Sequence, residues 1–282
     1  MRGKQIMTVT GPVNANLLGT VYSHEHLIVQ PQIPDEKYIA YTLSDENASA
    51  KEVQLFANAG GKTIVEMTPI NYGRDVLAYQ RIAEKTGIYV ICCTGFHKEL
   101  FMPSWFKEKK SSQIYDEVLN EIENGIDKTS IRPGVIKMGT SFENITDQER
   151  RAVEIVARLH QDTGIMISTH CDKGTMGIEQ LDLLEHYGVS AKDVLLGHID
   201  SKHDIDYAKE LCKRGAKICI DHVGRSLSDH DAFCVQLITE LIEAGFGKDR
   251  LSFVIWRNAW IWIYINGIEK NLTSIYFRRR FF

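Results

Sequence analysis

Apolar and β-branched residues in this chain gather into eight short runs separated by longer amphipathic stretches. The runs lie near residues 20–27, 63–69, 88–95, 134–140, 165–171, 194–200, 217–224 and 251–256. Their length and their content of Val, Ile and Thr predict strands. Between them, 146–162 opens with Thr146 and carries Glu149 three residues on, a capping box ahead of helix-period apolar positions. The stretch 204–214 starts at Asp204 and stops before Gly215, and 229–244 stops at Gly245. Strand and helix in alternation through eight rounds predict an α/β fold, the closed (β/α)8 TIM barrel. A doubly wound open sheet is the alternative, but no Gly-x-Gly-x-x-Gly turn follows the first strand.

Composition narrows the function without naming it. A 282-residue chain with 44% hydrophobic and 25% charged residues suits one barrel with ample core. The net charge of -4 and the lack of a basic stripe before the last residues argue against a nucleic-acid partner. No apolar run reaches membrane-spanning length, and Met1 to Gln5 lack the apolar core of a signal peptide, so the expectation is a cytoplasmic protein acting on a small molecule. Cys92, Cys93, Cys171, Cys212, Cys219 and Cys234 fall inside apolar segments without a Cys-x-x-Cys pair, and are expected to be reduced and buried.

Ionisable residues recur where the predicted strands end, the face on which such barrels carry their chemistry. His24 and His26, alternate residues in Ser23-His24-Glu25-His26-Leu27, would share one face of a strand. His170 ends the fifth run, His198 the sixth, and Asp221-His222 the seventh. Lys137 sits inside the apolar fourth run, where an unpaired ammonium is costly. A histidine in such a place can simply bond a loop carbonyl, but several at one end of one barrel point to a metal centre. Imidazole donors suit zinc, manganese or cobalt rather than calcium. A buried lysine that loses its proton can react with carbon dioxide to give a carbamate able to bridge two ions.

These residues resemble the phosphotriesterase-like branch of the amidohydrolase superfamily. The resemblance runs from Thr8-Val9-Thr10-Gly11-Pro12 through His24 and His26, Gly134-Val135-Ile136-Lys137, Thr169-His170 and Gly197-His198 to Asp221-His222, over about residues 5–253. It implies two divalent ions, with His24 and His26 on the more buried one and His170 and His198 on the other. Lys137 would be the carboxylated bridge, and His222 would relay a proton away. It further implies a hydrolase working through a metal-bridging hydroxide, most simply a lactonase for phosphorylated sugar lactones, with phosphotriesters as the alternative substrates. Arg225, just past the His222 strand, is a candidate for binding a substrate anion or else a surface ion-pair residue. A deaminase or dihydroorotase-like enzyme fits the Lys137 and His198 strands less well.

The pattern breaks at the eighth strand. The family carries an aspartate there that ligates the buried ion and serves as base, whereas no Asp follows Asp249 in this chain. Beyond Phe253, Trp256, Trp260, Trp262, Tyr264, Tyr276, Phe277, Phe281 and Phe282 crowd the tail, which holds three of the chain's four tryptophans. The expected organisation is a hydrolase barrel over 1–253 and an atypical aromatic segment over 254–282. Two origins are open: a frameshift that replaced the strand end and its helix, which is the favoured one, or a divergent tail that packs as a helix or joins two copies in a homodimer. Either way an impaired enzyme, or a metal-binding remnant without turnover, is expected.

Overall fold

The computed structural model describes residues 4–33, 35–39, 41–224, 229–247 and 250–255. Arg225 and the aromatic segment from Trp256 onward lie outside the described residues. The chain enters through an antiparallel hairpin, β1 (Gln5–Thr8) and β2 (Gly11–Asn14). Eight parallel strands follow: β3 (Val21–Glu25), β4 (Thr63–Glu66), β5 (Tyr89–Gly95), β6 (Val135–Thr140), β7 (Ile167–Cys171), β8 (Val194–Gly197), β9 (Lys217–Val223) and β10 (Leu251–Ile255). Each coincides with one of the eight runs read from the sequence, and each pairs with its sequence neighbour in turn. The first and last strands complete the ring through a hydrogen bond between the Ser23 and Ser252 hydroxyls. The sheet is therefore a nearly closed barrel rather than a doubly wound open sheet.

Helices lie between the strands: α1 (Glu36–Ile39), α2 (Glu46–Asn58), α3 (Val76–Thr86), α4 (Trp105–Glu108), α5 (Ser111–Asn124), α6 (Asp147–Thr163), α7 (Gly177–His186), α8 (Ile205–Arg214) and α9 (Asp229–Glu243). Alternation along each strand divides its side chains between two cores. Ile136, Met138, Ile167, Val194, Leu196, Ile218 and Ile220 pack outward under helix residues such as Val153, Leu159, Leu181, Leu211 and Leu237. Inside the barrel, Leu195 and Cys219 pack with Met166. The hairpin caps the opposite end from the strand C-termini: Ile6 joins Val65, Ile91 and Val135, and Val9 N–H donates to Val90 O at 2.9 Å. All six cysteines are free and buried, as expected.

The local signals behave as their chemistry requires. Thr146 accepts from Glu149 N–H and Glu149 returns a bond from Thr146 N–H at 2.9 Å, closing the capping box of α6. Asp204 caps α8, and Gly215 and Gly164 end α8 and α6 with left-handed backbones. Glu149 does more than cap. Wholly buried, its carboxylate also accepts from Glu99 N–H at 3.0 Å and from the Ser141 hydroxyl at 2.6 Å, tying the loops after β5 and β6 together. Thr146→Ala is expected to cost about 1 kcal/mol, the usual worth of an N-cap. Glu149→Ala, which strands several buried donors, is expected to cost more than about 2 kcal/mol. Urea midpoints of the two variants check the order, and an equal loss in both would contradict it.

Candidate metal centre

The C-terminal strand ends bring together every metal-ligand candidate named above that lies within the described residues. Adjacent imidazole rings sit with centroids 5.7 Å apart for His24 and His26, 4.7 Å for His24 and His198, and 4.6 Å for His170 and His198. Strict alternation would send Ser23 and His24 to opposite faces, yet Ser23 touches Cys219 and Ser252 while His24 faces His198. The β3–β4 register shifts between Tyr22 and Glu25, and such an irregularity re-aims a side chain. His198 takes the left-handed conformation, φ 62 and ψ 24, just past β8. That conformation costs a non-glycine residue on the order of 1 kcal/mol and clusters at functional sites.

Close approach of strands is built in at two glycines. A Cβ on Gly95 would lie 2.2 Å from Lys137 O, and one on Gly197 would lie 3.4 Å from His24 Nδ1. Lys137 itself is wholly buried and donates from Nζ to Met67 O at 2.7 Å. Burial lowers the affinity of that ammonium for its proton, although Cys93, Glu66 and Asp221 pull the other way.

Desolvation also holds His24, His26 and His170 well below the ordinary histidine range, with positive neighbours, Lys137 among them, adding to the effect. They are neutral at pH 7, the form that ligates metal. Both ring nitrogens of His24 and Nε2 of His170 are buried without a hydrogen-bond partner. Buried polar atoms in that state are rare, and a metal ion would satisfy one nitrogen of each ring. The donor set therefore fits the ions expected from the sequence. Within this cluster His24, His198 and Asp221 place one ligand atom each within 4.8 Å of one another.

Further side chains surround these ligands, most of them with no role that spacing alone assigns. Asp221 was seen at a strand end, yet it stands between two histidines, with carboxylate oxygens 3.4 Å from His24 Nδ1 and 3.0 Å from His198 Nδ1. Its position in step with inward-facing Cys219 was the available signal. Thr68 Oγ1 lies 2.8 Å from His26 Nδ1 and donates to Glu66 Oε1 at 2.6 Å. Burial pushes Glu66 up to about 7, against its bonds from Thr68 and Leu27. His97, just past β5, packs its ring 4.3 Å from that of His170. His222 stacks on His198 at 5.1 Å and puts Nδ1 3.2 Å from Asp200 Oδ2. Burial opposes the charge of Asp200, but bonds from His222 and His230 outweigh it and hold the carboxyl well below its ordinary range.

The sequence matches the Phosphotriesterase family over residues 4–256. A phospho-furanose lactonase of Mycoplasmopsis agalactiae is 33% identical over 236 residues, covering 78% of this chain and 67% of that protein. The crystal structure of a lactonase from Listeria monocytogenes superposes with a TM-score of 0.88 at 27% identity, covering 96% of this chain and 92% of that one. An organophosphorus hydrolase from Deinococcus radiodurans superposes with a TM-score of 0.79 at 30% identity, covering 90% and 79%. With its eight-stranded barrel and the histidines at its mouth, the chain belongs to the phosphotriesterase family of metal-dependent hydrolases.

Proposed function

We propose that this chain is a binuclear metal-dependent lactonase framework whose substrates are phosphorylated sugar lactones, working at a reduced rate. The observation that carries the reading is the convergence of neutral imidazoles and a buried lysine at the barrel mouth. His24 and His26 would hold one ion and His170 and His198 the other, with Lys137 as carbamate bridge. Zinc is the first choice of metal, with manganese or cobalt as alternatives. Bound there, such ions lower the pKa of water and polarise a carbonyl.

The remaining work falls to the chain's own groups. The Glu66–Thr68 pair fixes the orientation of His26, leaving its Nε2 for a ligand bond. Asp221 orients His24 and His198 from one side. His222 is placed to take a proton on its outer nitrogen while Nδ1 faces the Asp200 carboxylate. The phosphate preference rests on the named relative and on Arg225, a cation expected near the mouth from its place in sequence.

The weakness is β10. Its residues Leu251–Ile255 contain no carboxylate, and loss of a general base costs about 10²–10⁴ in rate. A metal-binding protein without turnover is thus the second reading. On a panel of phosphorylated and neutral lactones beside a phosphotriester, the chain is expected to turn over slowly, with phosphorylated lactones first. Ile255→Asp, which puts an acid at the end of β10, is expected to raise kcat by about 10²–10⁴. Rapid turnover by the unaltered chain would refute the impairment, and preference for the phosphotriester would refute the substrate class. Arg225→Ala is expected to raise KM for the phosphorylated lactone roughly tenfold, the worth of one charged contact, and to leave the neutral one unchanged. Equal KM changes for both lactones would remove Arg225 from the site.

A further inference from the structure

A second constellation of ligand-type side chains lies between the turn after β8 and helix α9. Asp200, in the short turn Ile199–Lys202, is wholly buried. His230 and Cys234 stand four residues apart on α9, so both project from one side of that helix. His230 Nε2 is 3.1 Å from Asp200 Oδ2 and 3.4 Å from Cys234 Sγ, and that sulfur is 3.9 Å from the same carboxylate oxygen. Tetrahedral zinc with ordinary Zn–O, Zn–N and Zn–S bonds separates its ligand atoms by about 3.3–3.6 Å, and the three observed edges bracket that interval.

The surroundings match what such a ligand set needs. Ligating histidines are held by a partner on the second ring nitrogen. Here His230 Nδ1 lies 2.6 Å from His203 Nε2, and the His203 ring stacks on Phe233 at 4.4 Å. His203 is exposed, which places the cluster within one side chain of solvent. Asp200 supplies the negative charge that a divalent ion requires.

We propose that Asp200, His230 and Cys234 form a divalent-metal site of their own, taking a zinc-class ion through one carboxylate oxygen, one imidazole nitrogen and one thiolate sulfur. Loading breaks the Cys234 S–H bond, forms a sulfur–metal bond and releases that proton to solvent, while the His230 ring proton moves by way of solvent from Nε2, which faces Asp200, to Nδ1, which faces His203. Burial and the nearby carboxylates otherwise keep that thiol protonated, so the ion takes the place of the proton. Sulfur distinguishes this site from the barrel mouth, whose proposed ligands are nitrogen and oxygen only.

The test uses the full chain stripped of metal and titrated with cobalt(II), read by absorption. A thiolate-to-cobalt charge-transfer band in the near ultraviolet is expected, complete by three equivalents in the wild type, two of them for the mouth, and by one in Lys137→Met. Cys234→Ser and His230→Ala are expected to abolish it, while Cys171→Ser and Lys137→Met keep it. Absence of the band from the wild-type protein at saturating cobalt overturns the proposal, as does a band undiminished in Cys234→Ser. Circular dichroism of the metal-free variants verifies their fold, and Cys234→Ala serves in place of Cys234→Ser if serine at this buried position prevents folding.

Discussion

Removing positive charge from water is the constraint on which this molecule's chemistry rests. At the end of the barrel, Lys137 and a set of imidazoles crowd together within the sheet, where a charged form loses hydration and meets like charges. The imidazoles respond by shedding protons, and the lysine's hold on its own proton is weakened. A neutral imidazole has a lone pair for a metal, and a neutral amine has one for carbon dioxide. The same desolvation that makes the cluster unfavourable as a set of cations makes it a good set of ligands. His24 shows this most directly, with both ring nitrogens buried and neither hydrogen-bonded.

The fold holds the cluster by backbone devices rather than by loops alone. The irregular register of β3 turns His24 inward, and the left-handed backbone of His198 brings its ring over the mouth. Gly95 and Gly197 let neighbouring strands approach where a Cβ would collide with backbone. Glu149 then anchors the loops after β5 and β6 from beneath. The Ser23–Ser252 contact closes the ring beside the same residues, so barrel closure and ligand placement share one seam. Whatever alters β10 therefore acts on the mouth as well as on the wall.

Much of this was legible in the sequence. All eight barrel strands follow from short apolar runs, and the capping residues Thr146, Asp204 and Gly215 mark their helices because the local chemistry is self-sufficient. The hairpin of Gln5–Asn14 carries little strand signal of its own, since its few residues alternate weakly and its apolar contacts come from the barrel floor. Among the site residues, those that end strands were visible from spacing. Asp221 and Thr68 were harder, because their roles come from contacts between strands distant in sequence. The Asp200–His230–Cys234 grouping joins a turn to a helix, and no local pattern announces such a meeting.

The central claim is that the histidines around Lys137 hold a pair of divalent ions. Elemental analysis of the purified chain beside Lys137→Met tests it without reference to any substrate. The account predicts two equivalents fewer of zinc, manganese or cobalt in the variant than in the wild type. Equal metal contents in the two proteins, or a wild-type chain that binds no divalent ion, would contradict it.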